Sequence, residues 1–150
     1  MRINDYLTAD RIVVDLPGED KYKVIETLLQ ALVDDGAIRD REKALKDLIE
    51  REEYLSTGLE NGLAIPHAKS EAVDDVLIAF GVQKAGMDFD SLDGDPTNYV
   101  FLLLSPMDTS GPHIKMLAKI AVNFQDDVML GRLANAATAE EYMAIFNDFK

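Results

Sequence analysis

Apolar residues along this chain follow two rhythms, one that suits strands and one that suits helices. "RIVVDL" (11 to 16) is a β-branched run closed by Pro17-Gly18, which predicts a strand. "DKYKVIETLLQALVDDG" then sets Val24, Ile25, Leu28, Leu29, Leu32 and Val33 at helical spacing, and Gly36 is placed as a C-terminal cap. A second helix is predicted from an N-cap at Asp40 through "REKALKDLIERE", with Ala44, Leu45, Leu48 and Ile49 on its apolar face. After a turn at "STG" come two uninterrupted apolar runs, "VLIAFGVQ" (76 to 83) and "NYVFLLLSP" (98 to 106), separated by a polar stretch holding Gly86, Gly94 and Pro96. Runs of that length read as central strands covered on both faces. Beyond Pro106 the spacing is helical again. "GPHIKMLAKIAVNF" points Ile114, Leu117, Ala118, Ala121 and Val122 inward, "DDVMLGRLANA" follows, and "TAEEYMAIFNDF" opens on a Thr138 cap with Glu141 three residues on.

Strands alternating with helices predict an α/β fold, a mixed β-sheet flanked by helices on both faces. The sheet is expected to be mixed because "LAIPH" and "VLIAF" are joined by a loop too short for a crossover helix, so some strands run antiparallel. With 150 residues, 47% of them apolar, and no repeat or Pro/Gly/Ser linker, one domain over 1–150 is expected. There is no apolar run of membrane-spanning length, and the opening "MRINDYLTADRIVVDL" is too charged for a signal-peptide core. The expectation is a soluble, cytoplasmic protein with no direct membrane insertion. A net charge of −13 argues against nucleic acid as a partner, because phosphate-backbone binding needs a concentrated basic face. The absence of cysteine excludes disulfides and thiolate chemistry, leaving oxygen and nitrogen groups to do any work.

Only two histidines are present. Pro66 biases Ile65 away from helical geometry and lacks a donor, so "LAIP" is expected to end a strand, with His67 emerging at a rim where pairing stops. Ser110 or Gly111 reads as the cap of the next helix, Pro112 as its first residue, and His113 as a member of its first turn. There free N–H groups and the helix dipole favour anions and a neutral imidazole. Each histidine taken alone fits an ordinary surface or packing role. If the two converge, one imidazole can attack phosphorus while the other steadies the phosphoryl oxygens, chemistry that histidine suits near neutral pH. Positioning and charge neutralisation supply most of the catalysis in such a transfer, so a cation is wanted. Arg51 is the leading candidate, with Lys69 and Lys115 each two residues beyond a histidine. Spacing alone equally allows Arg51 to be a solvated helix arginine paired with Glu50 or Glu53. Ser56, Thr57 and Asn61 are further phosphate-site candidates. No i, i+4 histidine pair or clustered ligand motif suggests a metal, and no glycine loop of the nucleotide-binding kinds suggests a bound nucleotide, so no cofactor is expected.

"REEYLSTGLENGLAIPHAK" (51 to 69) and "YVFLLLSPMDTSGPHIKMLAKIA" (99 to 121) together resemble two signatures of one family. These are the enzyme IIA domains of the fructose/mannitol class of the bacterial phosphoenolpyruvate-dependent sugar phosphotransferase system, with its nitrogen-related regulatory branch. The resemblance spans nearly the whole chain. It implies a mixed sheet flanked by helices, with His67 as the residue transiently phosphorylated. It implies that His67 receives the group from the phosphocarrier HPr or a relative and passes it to enzyme IIB, with His113 beside it and Arg51 in the same pocket. Glu60 stands where many members have Gly, and Ala68 where Gly is common. Two roles follow: a phosphocarrier for fructose-like sugar uptake, or a regulator whose phosphorylation state at His67 controls binding to other proteins.

Overall fold

The computed structural model describes residues 2–17 and 20–150. In chain order its elements are β1 (Ile12–Val13), α1 (Lys21–Asp34), α2 (Arg41–Tyr54), β2 (Leu63–Ala64), β3 (His67–Lys69), β4 (Leu77–Met87), β5 (Thr97–Ser105), α3 (Gly111–Asn123), α4 (Asp127–Asn135) and α5 (Ala139–Asn147), with short 3₁₀ turns at Ile3–Asp5 and Ala9–Arg11. The first predicted strand shrinks to two residues, and Gly18 of its expected stop lies outside the described residues.

The sheet order is β1-β4-β5-β2, with β3 also paired to β5. β4 and β5 form the long antiparallel centre, while β1 runs parallel to β4 and both β2 and β3 run parallel to β5. A mixed sheet was expected, but the neighbours differ: "LAIPH" is separated from "VLIAF" by β5 rather than lying beside it. β4 also runs further than its apolar segment. Its register shifts between Val82 and Met87, and Gly86 adopts φ +88°, so the strand bends on a residue that tolerates left-handed geometry.

Alternate side chains of the central strands feed two cores, as period-2 geometry requires. Leu77, Ala79, Val100, Leu102 and Leu104 face α1 and α2, against Val24, Leu28, Leu29, Leu32, Ala44 and Leu48. Ile78, Phe80, Val82, Phe101 and Leu103 face α3, α4 and α5, against Met116, Ile120, Leu133, Tyr142 and Phe146. Helices therefore cover both faces. Three caps follow the sequence reading: Asp40 accepts from Lys43 N, Thr138 from Glu141 N, and Gly36 adopts φ +77° after α1.

The face of α3 departs from expectation. The buried residues are His113, Met116, Ile120 and Asn123, continued by Phe124, whereas Ile114 and Val122 are 64% and 61% exposed. Of the stripe expected inside, Leu117 packs against the margin of the core, while Ile114, Ala118 and Val122 look outward. Among the described residues no helix is long and apolar enough to cross a membrane.

Candidate functional site

β2 and β3 form an interrupted edge strand along β5. Pro66 sits at the break, where its missing N–H costs the ladder nothing, and its carbonyl accepts from Leu103 N at 3.0 Å. Pairing does not stop there as expected. It resumes with His67 opposite Leu103, Ala68 opposite Leu104 and Lys69 opposite Ser105. Alternation then fixes direction: Ile65, His67 and Lys69 share the face of Leu103 and Ser105, on the side of α3, and Ala68 turns to the core beneath α2. Pairing on β5 therefore sets the position of His67.

α3 begins over this same corner. Pro112 is its second residue and His113 its third, so the His113 ring points in from the first turn to a site only 7% exposed. The ring centroids of His67 and His113 lie 5.5 Å apart with planes at 59°. The two histidines converge.

Their ring nitrogens are held differently. His67 Nδ1 lies 2.7 Å from the Ile65 carbonyl oxygen. A carbonyl can only accept, so Nδ1 donates and Nε2 of the neutral ring keeps its lone pair. Burial, the leading cause, and the nearby Arg51 charge lower the His67 pKa below 6.5, against the raising effects of the Ile65 hydrogen bond and Glu52. The ring is neutral at pH 7, which is the nucleophilic form. His113 Nδ1 meets the Ser105 hydroxyl at 2.6 Å. Burial first, then the proximity of His67 and Lys69, lowers the pKa of His113 to about 4.

Arg51 lies in the last turn of α2, with Nη1 donating to the Leu55 carbonyl at 2.8 Å. Among the described residues it makes no ion pair with Glu50 or Glu53; Glu50 faces Lys46 instead. Arg51 and His67 line one cleft of about 500 Å³ with Ser56, Thr57, Leu59 and Leu92, and its far wall is the outward stripe of α3: Ile114, Leu117, Ala118 and Ala121. One cation and one half-buried imidazole are thus ringed by apolar side chains. Ile114 and Ala118, exposed on α3, are cleft wall rather than core.

The other candidates divide. The Ser56 hydroxyl donates to the Phe89 carbonyl and accepts from Gly58 N. Thr57 lies in the cleft wall, but its hydroxyl donates to Glu52 Oε1 at 2.6 Å and its N–H to Glu52 Oε2 at 3.0 Å. Both hydroxyls shape the loop. Asn61 is not brought to the cleft: at φ +60° it makes the turn before β2, and its side-chain amide donates to the Phe124 carbonyl at the end of α3 at 2.8 Å. Lys69 donates to the Ser110 hydroxyl at 3.0 Å, at the mouth of α3. Lys115 is exposed.

Two residues behind the site were not anticipated from sequence. Glu52, 2% exposed, holds Thr57 and pairs with Lys21 Nζ at 3.3 Å, which also meets Asp90 at 3.1 Å. This buried carboxylate ties the loop after α2 to the start of α1. Ser105, fully buried, is the last residue of β5 and the partner of His113. Its position directly after "FLLL" and before Pro106 is the only signal the sequence offers for it.

Residues 5–149 match the model of the family described as "Phosphoenolpyruvate-dependent sugar phosphotransferase system, EIIA 2". The chain is 31% identical over 98% of its length to the PTS system fructose-specific EIIABC component of Bacillus subtilis (strain 168), spanning only 23% of that protein. Its structure resembles the nitrogen regulatory protein IIA-Ntr from Neisseria meningitidis with a TM-score of 0.84 and 31% identity, covering 96% of this chain and 98% of that one. It also resembles the complex of enzyme IIAMTL and phosphorylated enzyme IIBMTL from Escherichia coli. There the TM-score is 0.79 over 93% of this chain and 96% of that one, and at 20% identity the likeness shows the fold alone.

Proposed function

Because the chain belongs to the EIIA 2 family of the phosphoenolpyruvate-dependent sugar phosphotransferase system, we propose that it is a phosphocarrier whose acceptor atom is Nε2 of His67. The observation that carries this is the hydrogen bond from His67 Nδ1 to the Ile65 carbonyl, which leaves Nε2 unprotonated on a neutral ring that lines the cleft. The donor is HPr or a related phosphohistidine carrier. In-line attack by Nε2 forms the new N–P bond as the donor's N–P bond breaks, and the electron pair of that bond returns to the donor's ring. His113 donates to a phosphoryl oxygen, and the Arg51 guanidinium offsets the dianion's charge across the cleft. The apolar rim of Leu59, Leu92, Ile114 and Leu117 excludes water, which would otherwise hydrolyse the phosphoramidate.

Enzyme IIB is the onward acceptor in this reading. The fructose-specific relative supports a fructose-like sugar as the destination, and the fold seen with phosphorylated IIB supports the partner. A regulatory role, with the phosphorylation state of His67 controlling protein binding, is favoured by the likeness to IIA-Ntr along almost the full length of both chains. Incubation with enzyme I, HPr and phosphoenolpyruvate should give an acid-labile phosphate that His67→Ala loses. Wild-type protein that takes up no label would refute the phosphocarrier reading, and capture of a non-transporter partner only in one phosphorylation state would select regulation over transport.

A further inference from the structure

The chemistry assigned to His113 requires it to donate beside the His67 ring, and a neutral imidazole has only one proton to give. Which nitrogen carries it is decided by Ser105. The Ser105 hydroxyl is fully buried at the end of β5, and among the described residues His113 Nδ1 is its one hydrogen-bond partner. The Ser105 carbonyl accepts from Ser70 N at 2.9 Å. If His113 Nδ1 donated to the hydroxyl oxygen, the hydroxyl's own hydrogen would be buried without an acceptor, an arrangement that folded proteins avoid. If Ser105 donates, both groups are satisfied.

We infer that Ser105 is a positioning residue that donates to His113 Nδ1, fixing the proton of the neutral ring on Nε2 so that His113 offers a donor where His67 offers a lone pair. Ser105 does not touch the phosphoryl group; it acts through His113, and the inference extends the phosphocarrier reading given above. The low pKa of His113 is consistent with this, because only the neutral ring has a tautomer to choose. The two imidazoles then form a complementary pair. The Ile65 carbonyl leaves His67 Nε2 bare, while the Ser105 hydroxyl gives His113 Nε2 its proton.

The tautomer is read directly from ring ¹⁵N shifts of the unphosphorylated wild-type protein at neutral pH. His113 should show an unprotonated Nδ1 and a protonated Nε2, and a protonated Nδ1 would overturn the inference. In Ser105→Ala the His113 shifts should move towards a mixture of tautomers, and transfer to His67 should slow about tenfold, the size of one lost orienting hydrogen bond. Ser105→Thr, which keeps the hydroxyl, should restore the tautomer. An unchanged His113 tautomer in Ser105→Ala would equally refute the role. Since these shifts need no phosphoryl donor, failure to label His67 would count against the phosphocarrier reading and leave the tautomer result standing.

Discussion

His67 and His113 are the same side chain 5.5 Å apart, yet the fold holds their rings in opposite ways. His67 starts a three-residue edge strand, is partly open to the cleft, and has Nδ1 fastened to a carbonyl that can only accept. His113 lies in the first turn of a helix, is buried, and has Nδ1 fastened to a hydroxyl able to donate. The lesson is that an imidazole's role is set less by its pKa than by what holds its second nitrogen. Both rings are held neutral at pH 7 by burial.

If that division holds, removing the donor should slow transfer without preventing it. His113→Ala should lower the single-turnover rate of His67 phosphorylation about 10²-fold, the usual cost of one lost charge-stabilising group, while the label still reaches His67 at long times. An unchanged rate would mean that His113 merely packs. Arg51→Ala should cost less, about 30-fold, because the guanidinium contributes charge without sharing the proton arrangement of the ring pair. Arg51→Lys should recover part of it, as an ammonium keeps the charge and loses the planar fork. Equal losses in Ala and Lys variants would show that the fork geometry matters more than the charge.

Much of the fold around these two residues is legible in the sequence. The buried face of α1 is Val24, Ile25, Leu28, Leu29 and Leu32, as helical spacing dictates, with Val33 at its margin, and Asp40, Thr138 and Gly36 cap as their types imply. α3 is not legible in the same way, because it has two apolar faces. Ile114, Leu117, Ala118 and Ala121 are at good helical spacing, but they line the cleft, and the core takes Met116, Ile120 and a histidine. Periodicity detects an apolar face without saying whether the rest of the protein covers it. Pro66 correctly marks an edge, yet only the pairing partner β5 reveals that the strand resumes at His67. Asn61 reads as a phosphate ligand by its closeness in sequence, but its turn carries the side chain to the end of α3. Glu52 and Ser105 are hidden for opposite reasons. A carboxylate on a charged helix resembles its solvated neighbours, and a serine ending an apolar strand resembles a stop.

The smallest expected effect is on stability. The folded-state pKa of His113 is about 4, and an unfolded histidine titrates near 6.5. Between those values the unfolded chain binds more protons than the folded one, so this residue's contribution to stability is intact above pH 6.5 and declines as pH falls towards 4. The slope is at most about 1.4 kcal/mol per pH unit. His67 is also shifted downwards and acts in the same sense. Denaturant midpoints of wild type and His113→Gln should therefore converge or cross as pH falls from 7 to 5, since the amide can still accept from Ser105 but cannot be protonated in this range. Carboxylates titrating at the acid end affect both proteins alike and cancel in the difference. If the difference is flat with pH, His113 is as readily protonated in the folded protein as in the unfolded chain, and the reading of a ring held neutral by burial fails.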